Sequence, residues 1–100
     1  MKDNVVYFIK IGNGDLYKIG TTNNIARRMK EHERNYKQSI EVIWISPVYS
    51  KYTALRVEEQ TIQRWKQLPG FEYIRNDRFK IDNSIHKVTI KVRKEWTIDF

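Results

Sequence analysis

The chain has 100 residues, the size of one small domain, and its 19 Lys and Arg against 12 Asp and Glu give a net charge of +7 and a pI of about 9.7. With no cysteine, disulfides and thiolate metal sites are excluded, and two histidines, His32 and His86, cannot by themselves make a histidine-rich zinc site. A positive field of this kind favours polyanions, nucleic acid before an acidic membrane surface.

Hydrophobic residues make up 40% of the chain and aromatics 13%, enough for a single core filled by a few large side chains. A domain this small has little core to spare, so most of its Trp, Tyr and Phe are expected to be structural. No repeat, linker or low-complexity stretch interrupts it, and residues 1–100 read as a single domain. Met1–Asn4 lead into only a short apolar run, shorter than a signal peptide or membrane helix. The expectation is an intracellular protein, in the cytoplasm of a bacterium or a virus-infected cell, neither secreted nor bound to membrane.

Residues 5–11 read as a strand, β-branched and aromatic, apolar on both faces apart from Lys10. Gly12-Asn13-Gly14-Asp15 is hairpin chemistry, because Asn and Gly tolerate positive φ, and Leu16–Ile19 return as the partner strand. Thr21-Thr22-Asn23-Asn24 offers several N-caps for a helix through about Tyr36, with Ile25, Met29 and Tyr36 on one face. Residues 40–45 read as a central strand ended by Pro47. Tyr52 to about Leu68 form a second helix, closed by Pro69-Gly70. Phe71–Ile74 and Arg78–Ile81 are short extended pieces. From Asp82 the pattern suits a helix (Ile85, Val88, Val92) or a strand (Val88, Ile90, Val92), and N-cap candidates at Asp82 and Asn83 favour the helix. The order β-β-α-β-α-(β)-α predicts an α/β (α+β) fold: a small mixed, mainly antiparallel sheet of about three strands, flanked by helices.

At about 100° per residue, Ala54, Leu55, Ile62, Trp65 and Leu68 gather on one face of the second helix, with Glu58 among them and Glu59 pointing away. A carboxylate in that position needs a cation, a metal or hydrogen-bond donors. One reading pairs Glu58 with a buried arginine for structure; the other makes it a hard oxygen ligand for Mg²⁺. On the first helix Arg28 and His32 stack at i and i+4. Arg28 at a core edge either snorkels or presents a fixed fork to phosphate. Alone, His32 reads as a satisfied core histidine and Tyr7 as a core tyrosine. Tyr17 and Lys18 take opposite faces of their strand, and Arg27 with Glu31 reads as an ordinary surface pair.

Together these residues resemble the GIY-YIG nuclease family over about residues 5–82. Val5-Val6-Tyr7 matches the first tripeptide and Lys18-Ile19-Gly20 the second. The family's arginine, eight residues after the glycine, falls on Arg28, and a histidine found one turn later in some members falls on His32. The glutamate of a later helix, followed by an apolar residue at +4 and an aromatic at +7, falls on Glu58, with Ile62 and Trp65 behind it. Tyr17-Lys18-Ile19-Gly20 with Gly70-Phe71-Glu72-Tyr73 resembles the branch common in phages, large DNA viruses and bacteria. Two departures stand out. The first tripeptide lacks its glycine, and Lys18 takes the place of the second tyrosine. The asparagine that often follows the glutamate helix has no good equivalent; Asn76 is a poor one.

The resemblance implies a metal-dependent endonuclease acting on DNA, with RNA not excluded. One Mg²⁺ or Mn²⁺ per site would be held by Glu58. Arg28 would stabilise charge on the phosphate, and Tyr7, helped by Lys18 or His32, would orient or deprotonate the attacking water. Tyr17, Arg27 and Lys30 are the expected substrate contacts. So small a chain would take sequence recognition from a homodimer or a partner protein. The alternative is a catalytically inactive nucleic-acid-binding module on the same fold. It would use the basic–aromatic neighbours Tyr36-Lys37, Lys51-Tyr52, Trp65-Lys66 and Phe79-Lys80. In a third reading the positive charge serves a protein partner.

Overall fold

The computed structural model describes residues 2–75 and 78–81. Strands β1 (Lys2–Ile11) and β2 (Leu16–Thr22) form the opening hairpin, followed by helix α1 (Ile25–Tyr36) and strand β3 (Ile40–Ile45). The short β4 (Tyr49–Ser50) leads into helix α2 (Lys51–Trp65), and β5 (Phe71–Tyr73) and β6 (Arg78–Ile81) follow. The strands run in the order β3-β1-β2-β6-β5, with β4 paired to the start of β1. Every pairing among the described residues is antiparallel.

The α+β class and the order of its first elements match the sequence reading. The sheet is larger than expected, six strands rather than about three, and no parallel pair makes it mixed among the described residues. Both short pieces around residues 76–77 join it as β5 and β6, and Tyr49–Ser50 adds β4. Strands of two to four residues carry too little periodicity to be separated from loop by sequence pattern. The expected helix from Asp82, like Asn76 and His86, lies outside the described residues.

Alternation along β1 and β2 divides the core into two layers. Val6, Phe8, Tyr17 and Ile19 face α2, where they pack with Ala54, Val57, Ile62 and Trp65, and with Phe71, Phe79 and Ile81 from β5 and β6. Tyr7, Ile9 and Ile11 face the other way, against Leu16, Ile25, Met29 and Tyr36. The sheet thus lies between α1 and α2. Trp65, fully buried, meets Phe8, Phe71 and Phe79 edge-on, with ring centroids 4.9, 5.8 and 6.0 Å away.

Local chemistry sets the ends of the elements. Asn24 caps α1 by accepting a hydrogen bond from the Arg27 amide at 3.1 Å, and Ser50 caps α2 by accepting one from Thr53 at 3.2 Å. Helix α2 stops at Trp65, three residues before the expected Leu68. Its last turns tighten into bonds from Gln67 to Arg64 and from Leu68 to Trp65, because a residue preceding proline disfavours the helical conformation. In the hairpin the positive φ falls on Gly12 (72°) rather than on Asn13 or Gly14. The Gly12 amide donates to the Ser39 carbonyl at 2.8 Å, tying the turn to the approach of β3. No described helix is long and apolar enough to cross a membrane.

β2 runs past Ile19 to Thr22 because β1 continues to pair with it, Tyr7 opposite Gly20 and Val5 opposite Thr22. The Tyr7 ring lies across Gly20, and a Cβ there would collide with the phenol Oη and Cζ. Gly14 has nothing within 4 Å of the same test position. Gly20→Ala is therefore expected to cost about 1–3 kcal/mol through overpacking. Gly14→Ala is expected to leave stability within about 1 kcal/mol of the parent. Urea unfolding midpoints of the two variants check the contrast.

Candidate active site

Tyr7 sits mid-strand, fully buried, between β2 and β3. Gly20 offers no side chain opposite it, so the phenol extends over β2 towards α1. There Tyr7 Oη and His32 Nε2 are 2.7 Å apart. His32 is only 4% exposed and lies between the rings of Tyr7 and Tyr36, at 5.7 and 5.9 Å. Arg28, one turn earlier on α1, reaches the same phenol. Its Nη1 donates to Glu31 Oε2 at 2.9 Å, while its Nε is buried without a hydrogen-bond partner among the described residues. Glu31 also approaches Arg27, with Nε and Oε1 3.6 Å apart.

Burial is the first cause that lowers the His32 pKa, to about 4, followed by the positive charges of Arg28 and Lys18. Burial also raises the Tyr7 pKa. The Arg28 guanidinium opposes that rise and the Glu58 carboxylate adds to it. At neutral pH both rings are therefore uncharged. Tyr7 Oη and His32 Nε2 share a hydrogen bond whose donor is set by the imidazole tautomer.

Glu58 comes from the other side of the sheet. The buried face of α2 carries Ala54, Val57, Thr61, Ile62 and Trp65; Glu58 is half-buried at its rim, and Glu59 is exposed. Leu55, expected on the buried face, is 47% exposed, so Glu58 borders the apolar stripe rather than interrupting it. The Thr21 hydroxyl donates to Glu58 Oε2 at 2.8 Å. Thr21 follows Gly20 and points to the opposite face, as alternation requires. Glu58 acts electrostatically on Tyr7, and among the described residues β6 pairs with β2 over Leu16–Lys18 alone. From Ile19 to Thr22 the outer edge of β2 lies beyond that pairing, and groups from both faces converge there.

The other expected residues divide. Lys18 is half-buried on the Tyr7 face, in register with Ile9 and Arg78, and its charge acts on His32. Tyr17 is a correction to the expected substrate contacts. It is 7% exposed on the α2 face, stacked on Phe8 at 5.4 Å, and serves as core. Arg27 is exposed and lines a cleft with Arg28, Lys51, Thr22 and Asn23. Lys30 is exposed on α1 and does not line that cleft. The sequence pairs Glu31 with Arg27, as found, but gives no role to Thr21 as the partner of Glu58 or to Glu31 as a partner of Arg28 as well. The first was readable from strand alternation, once β2 was known to continue past Gly20. The second followed from i,i+3 spacing.

The described residues hold no group of three or more His, Cys, Asp or Glu able to enclose a metal ion. A single carboxylate steadied by a hydroxyl fits an ion that keeps most of its ligands as water and substrate oxygen, as Mg²⁺ does. It does not fit zinc or a calcium cage.

A family model described as the T5orf172 domain matches residues 4–97, and the chain belongs to that family, a domain type associated with nuclease-related proteins. No curated protein and no solved structure matches it.

The depressed His32 pKa has a consequence for stability. An unfolded histidine takes up its proton near 6.5, whereas folded His32 resists until about 4. In that window the unfolded chain binds more protons, so stability falls as pH drops from about 6.5 towards 4 and loses nothing further to this group below it. Titration followed by NMR should place the His32 midpoint near 4. In urea unfolding, His32→Gln should remove about 1–3 kcal/mol of the acid loss across that window.

Proposed function

We propose that this member of the T5orf172 family is a metal-dependent endonuclease of the GIY-YIG type, hydrolysing phosphodiester bonds in DNA. The observation that carries the reading is the convergence of Tyr7, His32, Arg28 and Glu58, from three separate elements, around Gly20 and Thr21 of β2. The +7 net charge supports a polyanionic substrate.

In this reading Glu58, oriented by Thr21, would hold one Mg²⁺ or Mn²⁺. When bound, the ion supplies Lewis-acid stabilisation of the phosphate and leaving oxygen. The chain's own residues handle the proton and the remaining charge. Tyr7 Oη takes a proton from the attacking water as its own passes to His32 Nε2, along the 2.7 Å hydrogen bond already made. His32 rests neutral and so has a lone pair to offer. The arriving phosphate counters the Arg28 and Lys18 charges that depress its basicity. Arg28 faces the developing negative charge, and its unpartnered Nε gives the guanidinium an unused donor. Lys18, where the family has its second tyrosine, adds positive charge to the same face.

A second reading, a DNA-binding module without catalysis, is favoured by one observation. Tyr17 is locked in the core on the far face, so no neighbouring tyrosine substitutes at position 18. Plasmid nicking with and without Mg²⁺ or Mn²⁺ separates the two. The wild-type protein should nick only with metal, and Glu58→Ala should give no product at unchanged thermal stability. Arg28→Ala should slow nicking about 10²–10³-fold. Full activity in Glu58→Ala would overturn the assignment, and metal-independent binding with no product would favour the module.

A further inference from the structure

Two clefts of different chemistry flank the Thr21–Glu58 hydrogen bond. The first contains Thr21 and is lined by the cations Arg27, Arg28 and Lys51 and by the carboxylates Asp3 and Glu31, the latter paired with both arginines. The second contains two carboxylates, Glu58 and Glu59, and is bounded by Leu55, Ile62 and Tyr73, with Gln63 and Lys66 at its sides. It measures about 250 Å³, below the usual range of about 300–1,000 Å³ for a whole small-molecule ligand. Leu55 is 47% exposed, an apolar side chain left facing solvent beside a proposed catalytic carboxylate. The Lys66 ammonium lies 4.3 Å from the centroid of the Tyr73 ring, which marks a π-face within reach of a cation.

From this pairing we propose that the second cleft is a nucleobase subsite, and that the preferred substrate carries an unpaired nucleotide next to the scissile phosphate. The proposal rests on the endonuclease reading and adds the substrate class. A phosphate bridged to Glu58 by the metal ion would send its backbone towards Arg27, Arg28 and Lys51 of the first cleft. The neighbouring base then meets Leu55, Ile62 and the Tyr73 ring, as unpaired bases do on aromatic platforms. The Gln63 amide offers both a donor and an acceptor to the base edge. A base paired within a duplex is stacked on its neighbours and cannot enter a side cleft without being extruded, whereas an unpaired base enters at little cost.

The test is binding with Ca²⁺ in place of Mg²⁺, which keeps a divalent ion for Glu58 while suppressing cleavage. Fluorescein-labelled duplexes, one fully matched and one with a single unpaired nucleotide, are titrated with wild-type, Gln63→Ala and Tyr73→Leu proteins and followed by anisotropy. Wild type should bind the unpaired substrate about tenfold more tightly. Both variants should lose that preference while keeping their affinity for matched duplex. 2-Aminopurine at the unpaired position should be quenched by wild type and not by Tyr73→Leu. Tyr73 also packs on Phe79, with centroids 5.2 Å apart, so exposed Gln63 supplies the variant that leaves the core untouched. Equal affinity of wild type for the two substrates, no binding to either, or a preference unchanged in Gln63→Ala and Tyr73→Leu would overturn the subsite. Metal-dependent nicking that persists without the preference would overturn the subsite alone. The preference without nicking would overturn the endonuclease reading alone.

Discussion

The Tyr7 ring lying flat across Gly20 is the contact on which the candidate site depends. Tyr7 and Gly20 face each other in the β1–β2 ladder, and only a residue without a Cβ leaves room for the ring. The contact aims the phenol at α1, where His32 receives it at 2.7 Å. It also places Thr21 next in line on the opposite face, where it meets Glu58. A one-residue slip in the ladder would exchange every one of these faces.

The second constraint is the extent of the β2–β6 pairing among the described residues. A strand covering the whole of β2 would separate the two faces of the sheet, leaving Tyr7 with α1 and Glu58 with α2. β6 pairs with only Leu16–Lys18, so the stretch from Ile19 to Thr22 lets side chains of both layers converge. Phe79 and Ile81, the buried residues of β6, serve the α2-side core. Among the described residues, β6 thus closes that core and leaves the Ile19–Thr22 edge of β2 to the site.

Charge is distributed to match. Arg28 and Lys18 act on the Tyr7–His32 pair, and with burial they keep the imidazole neutral. Glu31 draws Arg27 and Arg28 together on the surface of α1. Surface ion pairs of this kind contribute little to stability, and their role here is to hold two cations side by side. Lys18 stands where the GIY-YIG pattern that the sequence resembles has a tyrosine, and it lies on the Tyr7 face, whereas Tyr17, its immediate neighbour, faces the core.

Much of this was legible in the chain. The hairpin, both helices and β3 follow from local periodicity and capping, which act within a few residues. The suspicion attached to Tyr7, Arg28, His32 and Glu58 came from spacing and from the family resemblance. Tyr17 was misjudged because a strand's two faces are chemically alike until the layers packed on them are known. Leu55 was misjudged because a helical wheel gives angles but not the width of the surface that covers them. The short strands β4, β5 and β6 exist only through their partners. By itself, the sequence determined the elements, the basic character and the candidate residues, because propensity and spacing are local. Tertiary structure alone decided the Tyr7–Gly20 contact, the Thr21–Glu58 bond and the two clefts. These depend on register and on where a strand ends, which are settled between segments distant in the chain.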